Sequence, residues 1–298
     1  MNNLRAVSSR FVYKVLMIVA LSAFVLVAFR NRILFRHNFG QVIPSSRDAV
    51  HPPFDFVPAE PKSLSDCDQL FGPDTAAAAF QMSSEYHAAF PAFAAAVNQS
   101  IVNEAVEGFT FGLPTQFKVL HYLASRPNVR SICETGFNLG HSSFNYLTAS
   151  RHAVVHSFDL GTHNYADKMA QFMRRHFPNR FFVHFGDSTK TVPQFGRAHP
   201  DHRCDFIFVD GGHTYPVAVA DLLNLAAMAD VDAGNVIMLD DYPSLLAGNM
   251  FPQPIGWAWE NMRRWGYVRE LLRCSFESKQ FKRGFVIGTV VRRPKLLS

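Results

Sequence analysis

Two adjacent carboxylates, Asp240 and Asp241, close a short apolar run of the chain. A second apolar run ends at Asp210, and His213 follows three positions later. Carboxylate oxygens are hard donors that suit Mg²⁺ or a similar divalent cation, which keeps waters and takes substrate oxygens in its remaining positions. A cation shared by two neighbouring hydroxyls would lower a hydroxyl pKa and fix its direction. Histidine titrates near neutral pH, so His213 is suited to take that proton. Two plainer readings compete: a turn built from Asp240 and Asp241 without metal, and a loop histidine that bonds backbone. Upstream lies a third group, Glu134-Thr135-Gly136-Phe137-Asn138-Leu139-Gly140-His141-Ser142-Ser143. Glycines let backbone approach a ligand, and the helix that follows offers free N–H groups. This loop differs from the G-x-G-x-x-G that cradles a pyrophosphate. The leading acid suits a ligand with a positive end. Asp159, 23 residues after Gly136, is spaced to reach a ribose hydroxyl.

These groups need a scaffold that brings their strand ends to one edge. From residue 129 apolar strands alternate with helices: strands at 130–134, 153–159, 181–185, 205–210 and 235–240, and helices from 140 and over 165–176, 217–229 and 255–265. Strands at 267–275 and 284–291 close the domain. The pattern predicts a Rossmann-like, doubly wound, mostly parallel seven-stranded sheet covered on both faces, with an antiparallel strand near its edge. Ligands of such sheets bind beyond the carboxyl ends of the strands. Each of the first five strand ends carries an acid, in the groups Glu134-Thr135-Gly136, Asp159-Leu160-Gly161, Gly186-Asp187-Ser188, Asp210-Gly211-Gly212-His213 and Asp240-Asp241-Tyr242. Turn preference and N-capping account for any one of them, but less well for all five along one edge.

Upstream, residues 66–127 read as a helical cap leading into the core of a domain over 66–298. Pro91 should break or start a helix there, and 114–125 forms an amphipathic one. Residues 15–29 form an apolar run, and with 11–13 added it approaches membrane-spanning length, so 1–37 is expected to be a single-pass signal anchor. Residues 38–65, rich in proline, read as a stem. A type II endomembrane (Golgi or ER) location follows; organelle targeting and secretion are the alternatives. The sequon Asn98-Gln99-Ser100 agrees weakly with a lumenal domain. Net charge is +5, with much of the excess before the first acid at Asp48, so no nucleic-acid partner is expected. Cys67, Cys133, Cys204 and Cys274 contain no C-x-x-C pair; zinc is disfavoured and buried free thiols are expected. Trp257, Trp259, Trp265 and Tyr242 are expected in the core rather than in an acceptor pocket.

Taken with SFDLG at 157–161, FGDS at 185–188, DFIFVDGGHTY at 205–215 and MLDDY at 238–242, the loop at 134–143 resembles the class I S-adenosylmethionine-dependent methyltransferases. It is most similar to the group holding catechol O-methyltransferase and the methyltransferase 24 families. The resemblance implies S-adenosylmethionine as cofactor and, as an option, Mg²⁺ or another divalent cation. It implies that Gly136, Asn138 and Gly140 lie under the methionine part, with Glu134 near its amino group and Ser142 beside it. Asp159 would hold the ribose, and Asp187 and Ser188 would flank the adenine. Asp210, Asp240 and Asp241 would hold the metal, and His213 and Asp210 would be the catalytic pair. Asn138 departs from the glycine of many relatives. The expected activity is O-methylation of a small-molecule or glycan acceptor at a membrane. A Golgi-type glycosyltransferase and a non-catalytic binding protein of the same fold are the alternatives, and the oligomeric state is left open.

Overall fold

The computed structural model describes residues 82–104, 106, 114–242, 245–246, 254–277 and 281–297. The expected anchor, the stem and the start of the cap lie outside the described residues. Among the described residues no helix is long and apolar enough to cross a membrane.

The strands are β1 (Ser131–Thr135), β2 (Val154–Asp159), β3 (Phe181–Phe185), β4 (Phe206–Val209), β5 (Val236–Asp240), β6 (Leu245–Leu246), β7 (Val268–Glu277) and β8 (Phe281–Val290). The helices are α1 (Ser84–Ser100), α2 (Pro114–Ala124), α3 (His141–Ala149), α4 (Asn164–His176), α5 (Ser188–Ala198), α6 (Tyr215–Ala227) and α7 (Pro254–Arg264). The sheet order is β3-β2-β1-β4-β5-β8, with β7 on the far side of β8 and the two-residue β6 beside one end of it. β1 to β5 pair in parallel, and β8 runs antiparallel to both β5 and β7. The seven long strands are therefore those expected, β7 and β8 forming the closing antiparallel pair.

Register sorts the side chains onto two faces. Glu134, Phe208 and Met238 are lateral neighbours, as are Ile132, Phe206 and Val236. These point toward the core under α3, where Phe144, Tyr146 and Leu147 pack. Cys133, Ile207 and Ile237 form the alternate row, against the core under α6 and α7. Strands buried on both faces read as continuous apolar runs, which is why the sequence pattern located them.

Three local expectations are corrected. Pro91 lies inside α1 rather than at a boundary. Its ring is on the exposed side, and Tyr86, Phe93 and Val97 bury the opposite face, so packing outweighs one lost hydrogen bond. Helix α5 falls in a stretch, STKTVPQFGRA, whose proline and glycine hide its amphipathic pattern. The cysteines are not free. Cys133 and Cys204 form a disulfide with Cα atoms 5.9 Å apart, Cys274 is also disulfide-bonded, and no cysteine among the described residues is free. Cys133–Cys204 joins β1 to the residues entering β4. Closing a loop of 71 residues removes unfolded-chain entropy worth about 4 kcal/mol.

Candidate functional site

The loop after β1 turns three times through the left-handed region, at Gly136 (φ 92°), Asn138 (φ 49°) and Gly140 (φ 77°). Asparagine is among the few non-glycine residues that tolerate this conformation, which accounts for its place in the loop. Gly136 presses against β4: a Cβ there would stand 1.9 Å from the carbonyl oxygen of Asp210. Gly140 leads into α3 with no side-chain cap, so the first N–H groups of that helix keep donors available.

Under the loop Glu134 is fully buried. Ser143 Oγ donates to its Oε1, while Oε2 has no hydrogen-bond partner. Burial pushes this carboxyl up to about 7, against the opposing pull of Ser143, and Ser142 and Ser157 also stand beside it. Ser142, the residue expected beside the cofactor, thus shares the surroundings of Glu134 with Ser143. His141, the first residue of α3, is held neutral by burial, its pKa lowered to about 4.

Asp159 spends its carboxylate on backbone. Oδ2 accepts from the N–H groups of Phe137 (2.8 Å) and Asn138 (2.9 Å), and Oδ1 from Gly161 (2.7 Å). It pins the glycine loop to the end of β2. Leu160 beside it is 62% exposed and Phe185, at the end of β3, is 36% exposed, so two apolar surfaces flank this edge. Asp187 caps α5, its Oδ1 accepting from Thr189 N–H (3.0 Å) and Thr189 Oγ1 (2.7 Å), which holds its pKa down.

Beyond β4 and β5 the structure gathers Asp210, His213 and Asp241, whose donor atoms all lie within 4.8 Å of one another. His213 Nε2 is 3.4 Å from Asp241 Oδ2, and its side chain is 61% exposed at the mouth of the site. Asp241 adopts φ 56°, a left-handed backbone that ends the strand at Asp240. Asp240, the third expected metal ligand, is buried at the end of β5 and falls outside that trio. Two carboxylates and an imidazole within this span make a donor set that fits a divalent cation.

The turn carrying these acids is braced from below. Arg273, only 4% exposed, pairs with Glu260 (2.5 Å) and Glu270 (2.5 Å) and donates to Tyr242 Oη. Tyr242 Oη donates in turn to Glu260 (2.8 Å), and Trp259 Nε1 donates to Glu270 (3.0 Å). Tyr242 and Trp259 are therefore core residues, as expected, while Trp265 is 41% exposed.

Two residues were not singled out in the sequence. Tyr146 is fully buried on α3. Asp221 is fully buried on α6, a lone acid in an otherwise apolar helix, and that contrast was its available signal. Neither Asp221 oxygen meets a hydrogen-bond partner, although Thr135 and Ser188 stand close enough to favour its charge. A Cβ on Gly211 would lie 2.7 Å from Asp221 Oδ2 and 3.0 Å from Thr135 Oγ1, so the acid props the turn after β4. Burial raises its pKa from 3.8 to about 7. The folded state thus favours the protonated form: this contribution is fully present below the unfolded pKa and is lost as pH rises to about 7. Asp221→Asn, which mimics the neutral acid, should be more stable than the natural chain at pH 8 by roughly 2–3 kcal/mol. That advantage should vanish near pH 4, as thermal unfolding at the two pH values would show.

Comparison with known proteins agrees with this arrangement. The profile of the methyltransferase 24 family, described as a methyltransferase domain, matches residues 133–242. The structure is similar to an O-methyltransferase from Bacillus cereus in complex with S-adenosylhomocysteine, at 21% identity and TM-score 0.51, covering 75% of this chain and 96% of that one. It is also similar to the O-methyltransferase TomG from Streptomyces achromogenes, involved in tomaymycin synthesis and in complex with S-adenosylmethionine. That match has 17% identity and TM-score 0.52, covering 68% of this chain and 90% of that one. No curated protein matches the chain. The chain has the fold of class I S-adenosylmethionine-dependent methyltransferases, and its residues 133–242 carry the methyltransferase 24 pattern.

Proposed function

We propose that this protein transfers the methyl group of S-adenosylmethionine to a hydroxyl of a small-molecule or glycan acceptor. The observation that carries the reading is the left-handed loop over buried Glu134, set one strand away from the Asp210–His213–Asp241 group. S-adenosylmethionine, when bound, supplies an electrophilic methyl group on a sulfonium. The left-handed turns at Gly136 and Gly140 shape the loop that would cover its amino-acid end, Glu134 supplies a carboxylate beneath that loop, and Leu160 and Phe185 offer apolar faces to the adenine. Asp159 and Asp187 act through the backbone they hold.

Asp210 and Asp241, with Asp240 at the strand end behind them, would hold a divalent cation, which when bound lowers the pKa of an acceptor hydroxyl and leaves His213 free of the metal. His213, open to the site mouth and in contact with Asp241, receives the acceptor's proton. Alignment and deprotonation are the main demands of an in-line methyl transfer, and these residues address both. The domain is proposed to face an endomembrane lumen, on the strength of its paired cysteines and the apolar run at 15–29.

The test uses the full chain recovered from membranes. S-adenosylhomocysteine is expected to bind in calorimetry and a nucleotide sugar is not. Asp210→Asn and His213→Gln should keep that binding and lose about 100-fold or more in turnover. Binding of the nucleotide sugar alone, or turnover indifferent to both substitutions, would overturn the reading. In the same preparation, a glycosidase that removes Asn-linked glycans should shift the mass by one glycan, from Asn98. An unshifted chain sealed on the cytosolic side of vesicles would overturn the lumenal placement.

A further inference from the structure

The edge of the sheet opposite the site carries arginines where the site edge carries acids. The parallel strands begin at this amino edge. Exposed Arg126 precedes β1 there, Arg151 precedes β2, and Arg175 stands just before β3. β8 runs antiparallel to β5 and to β7, so β8 ends and β7 starts at the same edge, where Arg264 and Arg293 are exposed. Most acids of this edge are occupied. Asp205 accepts from the N–H groups of Arg130 and Ser131, Asp230 caps its own loop, and Glu85 pairs with Arg151. Among the described residues Asp201 and Asp232 remain as its exposed acids.

Helix dipoles explain part of this. Helices of such a sheet end at its amino edge, and Arg175 and Arg264 lie in the last turns of α4 and α7. The dipole does not explain Arg293, which follows a strand, nor the apolar groups set among the cations. Trp265 is 41% exposed and Val291 is 50% exposed. Val291 N–H donates to the Tyr267 carbonyl (2.9 Å), and Arg292 donates to the Trp265 carbonyl (2.6 Å) while lying 4.7 Å over the Tyr267 ring. These residues form one face. An exposed indole among arginines suits the headgroup level of a bilayer, where the ring enters the interface and the guanidinium groups meet phosphates. The chain also enters the domain at this edge. Ser83 N–H donates to His121, its hydroxyl donates to the Thr148 carbonyl in the last turn of α3, and a polar cavity of about 320 Å³ opens between Ser83, Arg126 and Arg151. The chain upstream of residue 82, which includes the apolar run at 15–29, therefore departs from the basic edge.

We infer that the amino edge of the sheet, from Arg151 to Trp265, docks on an anionic phospholipid bilayer and turns the edge that carries Asp210 away from it. The inference rests on the membrane placement proposed above and goes beyond it, since a tether alone leaves the domain free to tumble.

The experiment reconstitutes the full chain into vesicles of bromine-labelled phosphatidylcholine, with or without phosphatidylserine, and reads tryptophan emission. Bromine quenches an indole that enters the interface. Quenching is expected with phosphatidylserine, not without it, and should be lost in Trp265→Phe. Arg126→Gln combined with Arg293→Gln should shift the ratio of docked to undocked chain about tenfold or more toward undocked, as should high salt. Both substitutions are at exposed positions and should leave S-adenosylhomocysteine binding and the unfolding midpoint unchanged. Equal quenching in the two kinds of vesicle, or quenching that survives Trp265→Phe, would overturn the inference. Retention on heparin that the paired substitutions weaken, without quenching in either vesicle, would assign the edge to a sulfated glycan and overturn the bilayer as its partner. A chain washed from the neutral vesicles but held and quenched by the anionic ones would overturn the tether and uphold the docking. A chain held by both and quenched in neither would overturn the docking alone.

Discussion

Gly136→Ala is expected to abolish S-adenosylhomocysteine binding and to destabilise the fold by more than about 3 kcal/mol. Two causes add. The residue stands at φ 92°, and the new Cβ would lie 1.9 Å from the Asp210 carbonyl oxygen. Backbone on both sides leaves nothing that rotates away, so the loops after β1 and β4 must separate. Neighbouring glycines dissect the effect. Gly140→Ala shares the left-handed backbone but meets the Phe137 ring at 2.7 Å, and a ring can turn. Gly234→Ala has φ 95° with nothing within 4 Å, so it carries backbone strain alone, about 1–2 kcal/mol. Chemical denaturation should rank the three as Gly136, then Gly140, then Gly234. A Gly136 variant no worse than Gly234 would mean that β1 and β4 tolerate separation at this edge.

Arg273→Met is expected to cost about 3–5 kcal/mol, because it strands charge in a buried place. Glu260 and Glu270 lose their shared partner, and Tyr242 loses both the bond to its oxygen and the guanidinium held 4.9 Å over its ring. Arg263, 2.7 Å from Glu260, keeps part of the compensation, and its side chain is 38% exposed. Tyr242 directly follows Asp241, so the loss travels to the acceptor side of the site. Below its unfolding temperature the variant should still bind S-adenosylhomocysteine but turn over more slowly. A denaturation difference under about 1 kcal/mol would show that the network is not a brace.

The scaffold was readable because its signals are local. A buried parallel strand shows as a run such as FIFV or VIMLD, and five of them in alternation with helices leave little choice of fold. The ligand edge was readable for the same reason, since the residue ending each run marks a strand end. What escaped depends on partners far away in sequence. Nothing near Cys133 announces Cys204, because pairing follows from β1 lying beside β4. Spacing pointed Asp159 at a ribose; that its oxygens also accept from backbone N–H groups could not be read, because those groups come together only once the loop has turned. Tyr146 went unremarked in the sequence; only the folded register shows that Glu134, Asp210 and Asp240 share its face of the sheet. The positive φ of Asp241 likewise belongs to the folded turn, and it is what separates Asp241 from Asp240 when the structure gathers donors around Asp210.

The disulfide has a practical corollary for the bench. Cys133 immediately precedes Glu134, and Cys204 lies just upstream of the strand that ends before Asp210, so one covalent tie sets the distance between the two halves of the site. A buffer with dithiothreitol guards free thiols. Here such a buffer would cut the tie, and inactivity measured in it would describe the reduced molecule.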